Sequence, residues 1–323
     1  MTGVLLLTVG LVAAALLGPL LLRGAAPMLA RVPRLAVFIL FGGVLMWIVA
    51  VLAVGPILAW FISGPSLLPE EAAAVCQRCL VSASPFGEAV LETSLPVVAL
   101  LVAPTLAGAA LLGGALLELR RRARVTSTAA DLLRADAELT SVHGYRVLLI
   151  RDSRPFAFAL PSGHGRIILS DAALAQLTRT ELISLLEHEA AHLRQRHHLI
   201  VATVAATTRY LRWIPLIAAA SDALPHYLEI AADDAARTRT GTPALAAALL
   251  KLGSPTHPDS LPTPEVALNA AGPNRIRHLV NPPPASRGAL PAIGIAAVFV
   301  TLAVINFSVQ VPYVYAAATG CPV

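Results

Sequence analysis

The chain has 323 residues, 56% of them hydrophobic and 13% charged, with a formal net charge of +5. Together with a mean hydropathy of +0.72, this excludes an ordinary soluble chain. Four stretches are long and apolar enough to cross a bilayer: Val4–Leu22, Leu35–Ile62, Leu95–Leu117 and Leu290–Tyr315. Buried core helices are ruled out for these stretches by their length and lack of charge. The first is expected to be a retained span, because no basic residue precedes it and no small-residue cleavage site stands out.

Arginine placement predicts the orientation. Arg23, Arg31 and Arg34 lie in the first loop, and Arg120, Arg121, Arg122 and Arg124 follow the third span. The second loop is acidic, with Glu70, Glu71, Glu88 and Glu92 against Arg78. Both termini are therefore expected outside and residues 123–288 inside, in a multi-pass protein of the cell membrane. The arginine run against a span reads as a contact with the lipid bilayer, and no direct nucleic-acid binding is expected. Cys76, Cys79 and Cys321 all fall on the predicted outer, oxidising side. A structural disulfide of open pairing with one thiol left over is expected there, in preference to a zinc or thioredoxin-type C-x-x-C.

Three units follow: 1–122 with three spans and the outer loop 63–94, a cytoplasmic domain at 123–288, and 289–323 with the fourth span and an outer tail. In the middle unit, Thr126–Thr140 reads as a helix. Tyr145–Arg151, Pro155–Leu160 and Arg166–Leu169 read as strands, and Asp171–Leu177 as a short helix. Thr178 and Glu181 form a T-x-x-E capping box, and no proline or glycine interrupts Thr178–Leu199, so one helix is predicted there. The order predicts an α+β domain. Leu199–Ala220 is apolar but carries Arg209 and Arg212, and is expected to lie against the membrane interface or the domain core. Proline-rich stretches around 254–264 and 281–284 read as loop or linker.

The chemistry concentrates in His188-Glu189-Ala190-Ala191-His192. Two histidines four apart on a helix lie about 40° apart in azimuth and roughly 6 Å apart in rise, which suits two ligands of one Zn²⁺. Glu189, turned about 100° away, is placed to take a proton from a bound water as the catalytic base. A catalytic zinc needs a third protein ligand, and Glu229 is the best candidate. Asp233, four residues on, would hold the free ring nitrogen of a zinc histidine. On a continuous helix His197 and His198 point away from the metal and read as interface or polar-face residues. His164 sits in a Gly-flanked turn, and His143 and His226 read as surface residues. Tyr227 and Arg237 are candidates for stabilising an oxyanion by proximity in sequence only.

The H-E-A-A-H sequence, followed by Glu229-x-x-Ala-Asp233, resembles the gluzincin pattern. The lead-in Phe156–Pro161, Arg166–Ser170 and Glu181–Glu189, and the run Ala191–Leu199, are similar to the BlaR/MecR-type antirepressor membrane metalloproteases. The resemblance is to a short form without the extracellular penicillin-binding sensor domain, an expectation drawn from the chain ending at Val323. It implies an α-helical membrane protein of about four spans with a cytoplasmic α+β gluzincin-type peptidase domain. It also implies zinc as cofactor, proteolysis of a cytoplasmic peptide or protein, and a transcriptional repressor as candidate substrate. Two other readings stand beside it. One is a CAAX/HtpX-like membrane quality-control protease. The other is a non-cleaving, zinc-containing signalling scaffold, against which the intact Glu189 argues. An edge strand at Ala157–Leu160 is expected to pair with extended substrate.

Overall fold

The computed structural model describes residues 2–63, 69–83, 91–92, 94–135, 137–161, 166–252 and 289–319. Helix α1 (Thr2–Leu29) and helix α2 (Pro33–Phe61) form an antiparallel pair. Past them lie β1 (Ile62–Ser63), α3 (Glu70–Ala83) and β2 (Leu91–Glu92), the two short strands pairing in parallel. Within α3, Cys79 is disulfide-bonded and Cys76 carries a free thiol, so the C-x-x-C does not close on itself. Helix α4 (Val97–Ala135) is continuous for 39 residues, about 58 Å of rise. Helix α10 (Ala289–Thr319) returns beside α1 and α2. Among the described residues, four helices are long and apolar enough to cross a membrane: Leu5–Leu29, Pro33–Phe61, Val97–Leu133 and Ala289–Ser308.

A four-stranded sheet has the order β3-β4-β6-β5, with β3 (Glu138–Val142), β4 (Tyr145–Ile150), β5 (Ala157–Leu160) and β6 (Arg166–Ser170). The β4–β6 pair is parallel and the other two are antiparallel. Strands β3 and β4 join through His143 and Gly144, both at positive φ (48° and 88°). Such a two-residue turn matches the twist of the paired strands. The predicted helix over 126–140 is therefore corrected at its end. Glu138–Thr140 pairs with Val147–Leu149 because this turn folds the segment back. At its start nothing breaks α4 between the span and Ala135.

Side chains alternate across the sheet, as a period of two requires. Val147, Ile167 and Leu169 face α6 (Arg179–Arg194), where Leu182, Leu185 and Leu186 complete one core. Leu148, Ile150, Phe156, Phe158, Leu160 and Ile168 face the far end of α4, against Ala130 and Leu133. One helix thus runs out of the span bundle and roofs the sheet. Ser170 starts α5 (Asp171–Gln176), its hydroxyl accepting from the Ala173 N–H and from the Phe156 N–H. The predicted capping box is present at the start of α6, and Lys251 of α9 (Thr242–Leu252) bonds the same Glu181.

The helix predicted over 178–199 is interrupted. Helix α6 ends at Arg194, Arg196 adopts the left-handed conformation (φ 53°), and α7 (His197–Thr208) starts afresh. Helix α8 (Pro215–Thr240) then runs back, so α7 and α8 form a hairpin. Of the two placements expected for 199–220, against the membrane interface or the domain core, the segment takes a core, one shared with the spans. Val204, Ile217, Ala220, Leu224 and Leu228 belong to one core with Leu29 of α1 and Leu40 and Val44 of α2. At the hairpin tip, Leu216 packs on Gly18 of α1 and Tyr210 on Gly114 of α4. The charges near the tip are paired, Arg209 with the buried Glu118 and Arg212 with Asp222 at 2.6 Å.

Candidate metal centre

Helix α6 presents His188, Glu189 and His192, all buried, at the spacing of one helical turn. Helix α8 packs across it and brings Glu229 and Asp233, each 1% exposed. The His188 and His192 Nε2 atoms lie 3.0 Å apart. The Glu229 carboxylate is 3.5 Å from the first and 3.4 Å from the second. These three side chains form a cluster able to hold one metal ion, with ligand atoms within 4.8 Å of one another. Glu189 is not a member of the cluster, although it shares the helix.

The hydrogen-bond pattern sets where the imidazole protons sit. The Asp233 carboxylate accepts from His188 Nδ1 at 3.0 Å, so the Nε2 of a neutral His188 carries its lone pair toward Glu229. The second histidine is fixed from farther away. Arg34 Nε can only donate, and it meets Gln195 Oε1 at 3.3 Å. That oxygen therefore accepts from His197 Nε2, also at 3.3 Å. His197 is left with a lone pair on Nδ1, which faces His192 Nδ1 at 2.9 Å. His192 must donate there, and its own Nε2 is a lone pair as well. Two nitrogen lone pairs and a carboxylate thus converge on one point, an arrangement of acceptors that a cation completes. Two imidazoles and one carboxylate match a catalytic zinc site with one position open, so the residues present fit the metal.

His197 corrects the sequence reading. It is 1% exposed and touches a ligand histidine, because the break at Arg196 invalidates an azimuth counted along one continuous helix. Burial pushes its pKa down to about 4, which keeps it neutral as the acceptor role requires. The signals available in the sequence were Gln195 and Arg196 between two histidine pairs, and neither marks a helix end. His198 is partly exposed with its pKa lowered by burial, and stands outside the cluster. His164 lies outside the described residues.

Glu187 braces the site from the other face of α6. It is 6% exposed, receives the Tyr145 hydroxyl and Arg194, and pairs with Arg239 of α8 at 3.1 Å. Burial and the Glu187 charge push the Tyr145 hydroxyl up to about 12. The strand β4, helix α6 and helix α8 are thereby tied together one residue from His188. Neither oxyanion candidate is a member of the metal-ligand cluster. Tyr227 is buried in the core shared with the spans, and Arg237 pairs with Asp234 at 3.0 Å.

Along α8, Glu229 stands 13 residues beyond Leu216, about 20 Å of rise. Gly18, which Leu216 touches, stands 11 residues before the end of α1, about 16 Å. The metal cluster therefore stands on the side of α8 away from the hairpin tip, and Arg34, in the first turn of α2, reaches Gln195 behind it at 3.3 Å.

Residues 119–252 match peptidase family M48. The matched segment contains all five of His188, Glu189, His192, Glu229 and Asp233, and it supports a metalloprotease of that family. The match gives no support to the narrower antirepressor-type assignment. No curated protein and no solved structure gives a significant match.

Proposed function

We propose that this chain is an integral-membrane zinc endopeptidase that cuts peptide bonds held close to the membrane surface on the cytoplasmic side. The observation that carries the reading is the convergence of the His188 and His192 Nε2 lone pairs with the Glu229 carboxylate. Zinc bound there supplies Lewis acidity toward a substrate carbonyl and lowers the pKa of a water. Glu189 takes the proton of the attacking water and delivers it to the amine nitrogen as the C–N bond breaks. Asp233 and His197 hold the two ligand imidazoles in the orientation and tautomer that binding needs. Strand β5 lies at an edge of the sheet next to α6, so an extended peptide can add to it as a further strand and pass beside the cluster.

Depth selects the substrate class. A centre linked through His197 and Gln195 to Arg34, in the first turn of α2, is placed for the juxtamembrane segment of a membrane-anchored protein. A cytoplasmic repressor is a substrate only if its scissile segment is brought to the same height.

The test uses the full chain in lipid nanodiscs, with one reporter peptide supplied both as a lipid-tethered and as a free molecule. Chelator-sensitive cleavage faster on the tethered form is expected. Glu189→Gln should retain zinc and lose about 10²–10⁴ in rate. Zinc binding with no cleavage of either reporter, or loss of function in His188→Ala with none in Glu189→Gln, overturns the enzyme reading in favour of a scaffold.

A further inference from the structure

A second concave site lies where the α7–α8 hairpin meets α4, on the membrane side of the metal cluster. It is a cavity of about 260 Å³ whose lining includes Arg122, Arg209, Arg212, Thr208 and Ser221. The remainder of its lining is apolar and comes from α7 and α8. Its height is set by α4. The apolar run of that helix ends at Leu117, and the next residues are Glu118 and the arginines 120–122. One turn deeper, Tyr210 packs at Gly114, with Tyr210 62% and Trp213 80% exposed. Exposed Tyr and Trp beside arginines at the end of an apolar span mark the headgroup level of a bilayer.

The charge in this region is unbalanced. Three arginines, Arg122, Arg209 and Arg212, line the cavity, and none of its other lining residues is charged. Glu118 engages one terminal nitrogen of Arg209 and Asp222 one of Arg212, whereas each guanidinium has five N–H donors. The Ser221 hydroxyl donates to Thr208 Oγ1 at 3.2 Å, so the two hydroxyls sit together on one wall.

We propose that this cavity binds the phosphate of an anionic phospholipid of the same leaflet. The guanidinium groups take the phosphodiester, and the apolar wall of α7 and α8 takes the start of the acyl chains. Guanidinium groups suit a phosphate because their planar donors match its oxygens in pairs. The apolar wall and the position at the headgroup level favour a lipid over a free phosphate ion. Occupancy also bears on the metal centre. Pro225 lines the cavity and stands four residues before Glu229 on α8. A proline inside a helix removes the hydrogen bond to the preceding turn, here to Ser221, so the helix is most easily bent where the lipid would sit.

The experiment is native mass spectrometry of the full chain released from nanodiscs of phosphatidylcholine with graded phosphatidylglycerol, counting retained lipid. One or a few phosphatidylglycerol molecules should be held in preference to phosphatidylcholine. Arg212→Gln, which removes a half-exposed arginine paired to an exposed aspartate, should keep the fold and weaken retention about fivefold, the equivalent of about 1 kcal/mol per arginine. Adding Arg122→Gln should lower it further by a similar factor. The pair Arg120→Gln and Arg124→Gln makes the same charge change outside the cavity and should leave retention unchanged. The proposal fails if that control loses as much as the cavity variants, or if the cavity variants lose nothing. It also fails if millimolar inorganic phosphate displaces the lipid, which identifies a site for the free ion.

Discussion

His197→Ala is the substitution that best isolates the hydrogen-bond chain behind the metal centre. The change removes the Nδ1 acceptor 2.9 Å from His192 Nδ1, at a position 1% exposed where bulk water cannot take its place. A buried donor left without its acceptor costs about 1–3 kcal/mol. Loss of a partner that orients a metal histidine weakens metal binding roughly 10–100-fold. The two figures agree, since 10–100-fold is about 1.4–2.7 kcal/mol. One water entering the space of the lost ring would place the effect at the lower end. His197→Asn restores an acceptor oxygen at shorter reach and should recover part of the loss. The assay is zinc competition against a chromophoric chelator on the full chain in detergent, with metal-free thermal stability measured in parallel. A zinc affinity for His197→Ala within twofold of the parent, or His197→Asn falling as far as His197→Ala, refutes the tautomer argument.

Other outcomes follow from the same structure. His197 has its pKa near 4 in the fold against 6.5 for the free side chain, so its contribution to stability is whole above about pH 6.5 and is lost as pH falls toward 4. Thermal midpoints of the metal-free chain between pH 7 and 4 should therefore drop less steeply in His197→Asn than in the parent. Ser170→Ala deprives α5 of its cap and the Phe156 N–H of its acceptor, and should cost about 1–2 kcal/mol in denaturant titrations of the detergent-solubilised chain. In intact cells, a cysteine placed at Arg179 should stay unlabelled by a membrane-impermeant reagent while Cys76 reacts. Labelling at 179 would invert the proposed topology.

Much of the site was legible because its spacing is a property of single helices. His188 and His192 share a turn of α6, and Glu229 and Asp233 share one of α8, so each pair is readable from i, i+4. That the two pairs meet is a tertiary fact, fixed by packing of α6 on α8 and by Glu187 reaching Arg239. Three of the four strands of the larger sheet were legible from their alternation, as in Phe156, Phe158 and Leu160, whereas β3 was read as the end of a helix. The end of α6 was not legible, because the left-handed residue is Arg196, neither glycine nor asparagine, and nothing local announces it. The place of the α7–α8 hairpin stayed open between interface and core for a related reason. Arg209 and Arg212 look unsuited to a position among spans until Glu118 and Asp222, 91 and 10 residues away in sequence, are seen to pair with them.

Helix α8 joins two things that are usually separable. Its first half is a wall of the membrane core, with Ile217, Ala220, Leu224 and Leu228 all at most 3% exposed, and its second half carries Glu229 and Asp233. Exposing the three larger of those side chains to water would cost about 1.5–3 kcal/mol each, a sum comparable with the whole stability of an ordinary domain. Excising residues 123–288 as a soluble peptidase fragment would therefore uncover the very surface that orients the metal carboxylate. Anchor and catalyst belong to one folding unit, and activity should be lost when a detergent strips the bundle apart even though no peptide bond of the matched segment has been touched.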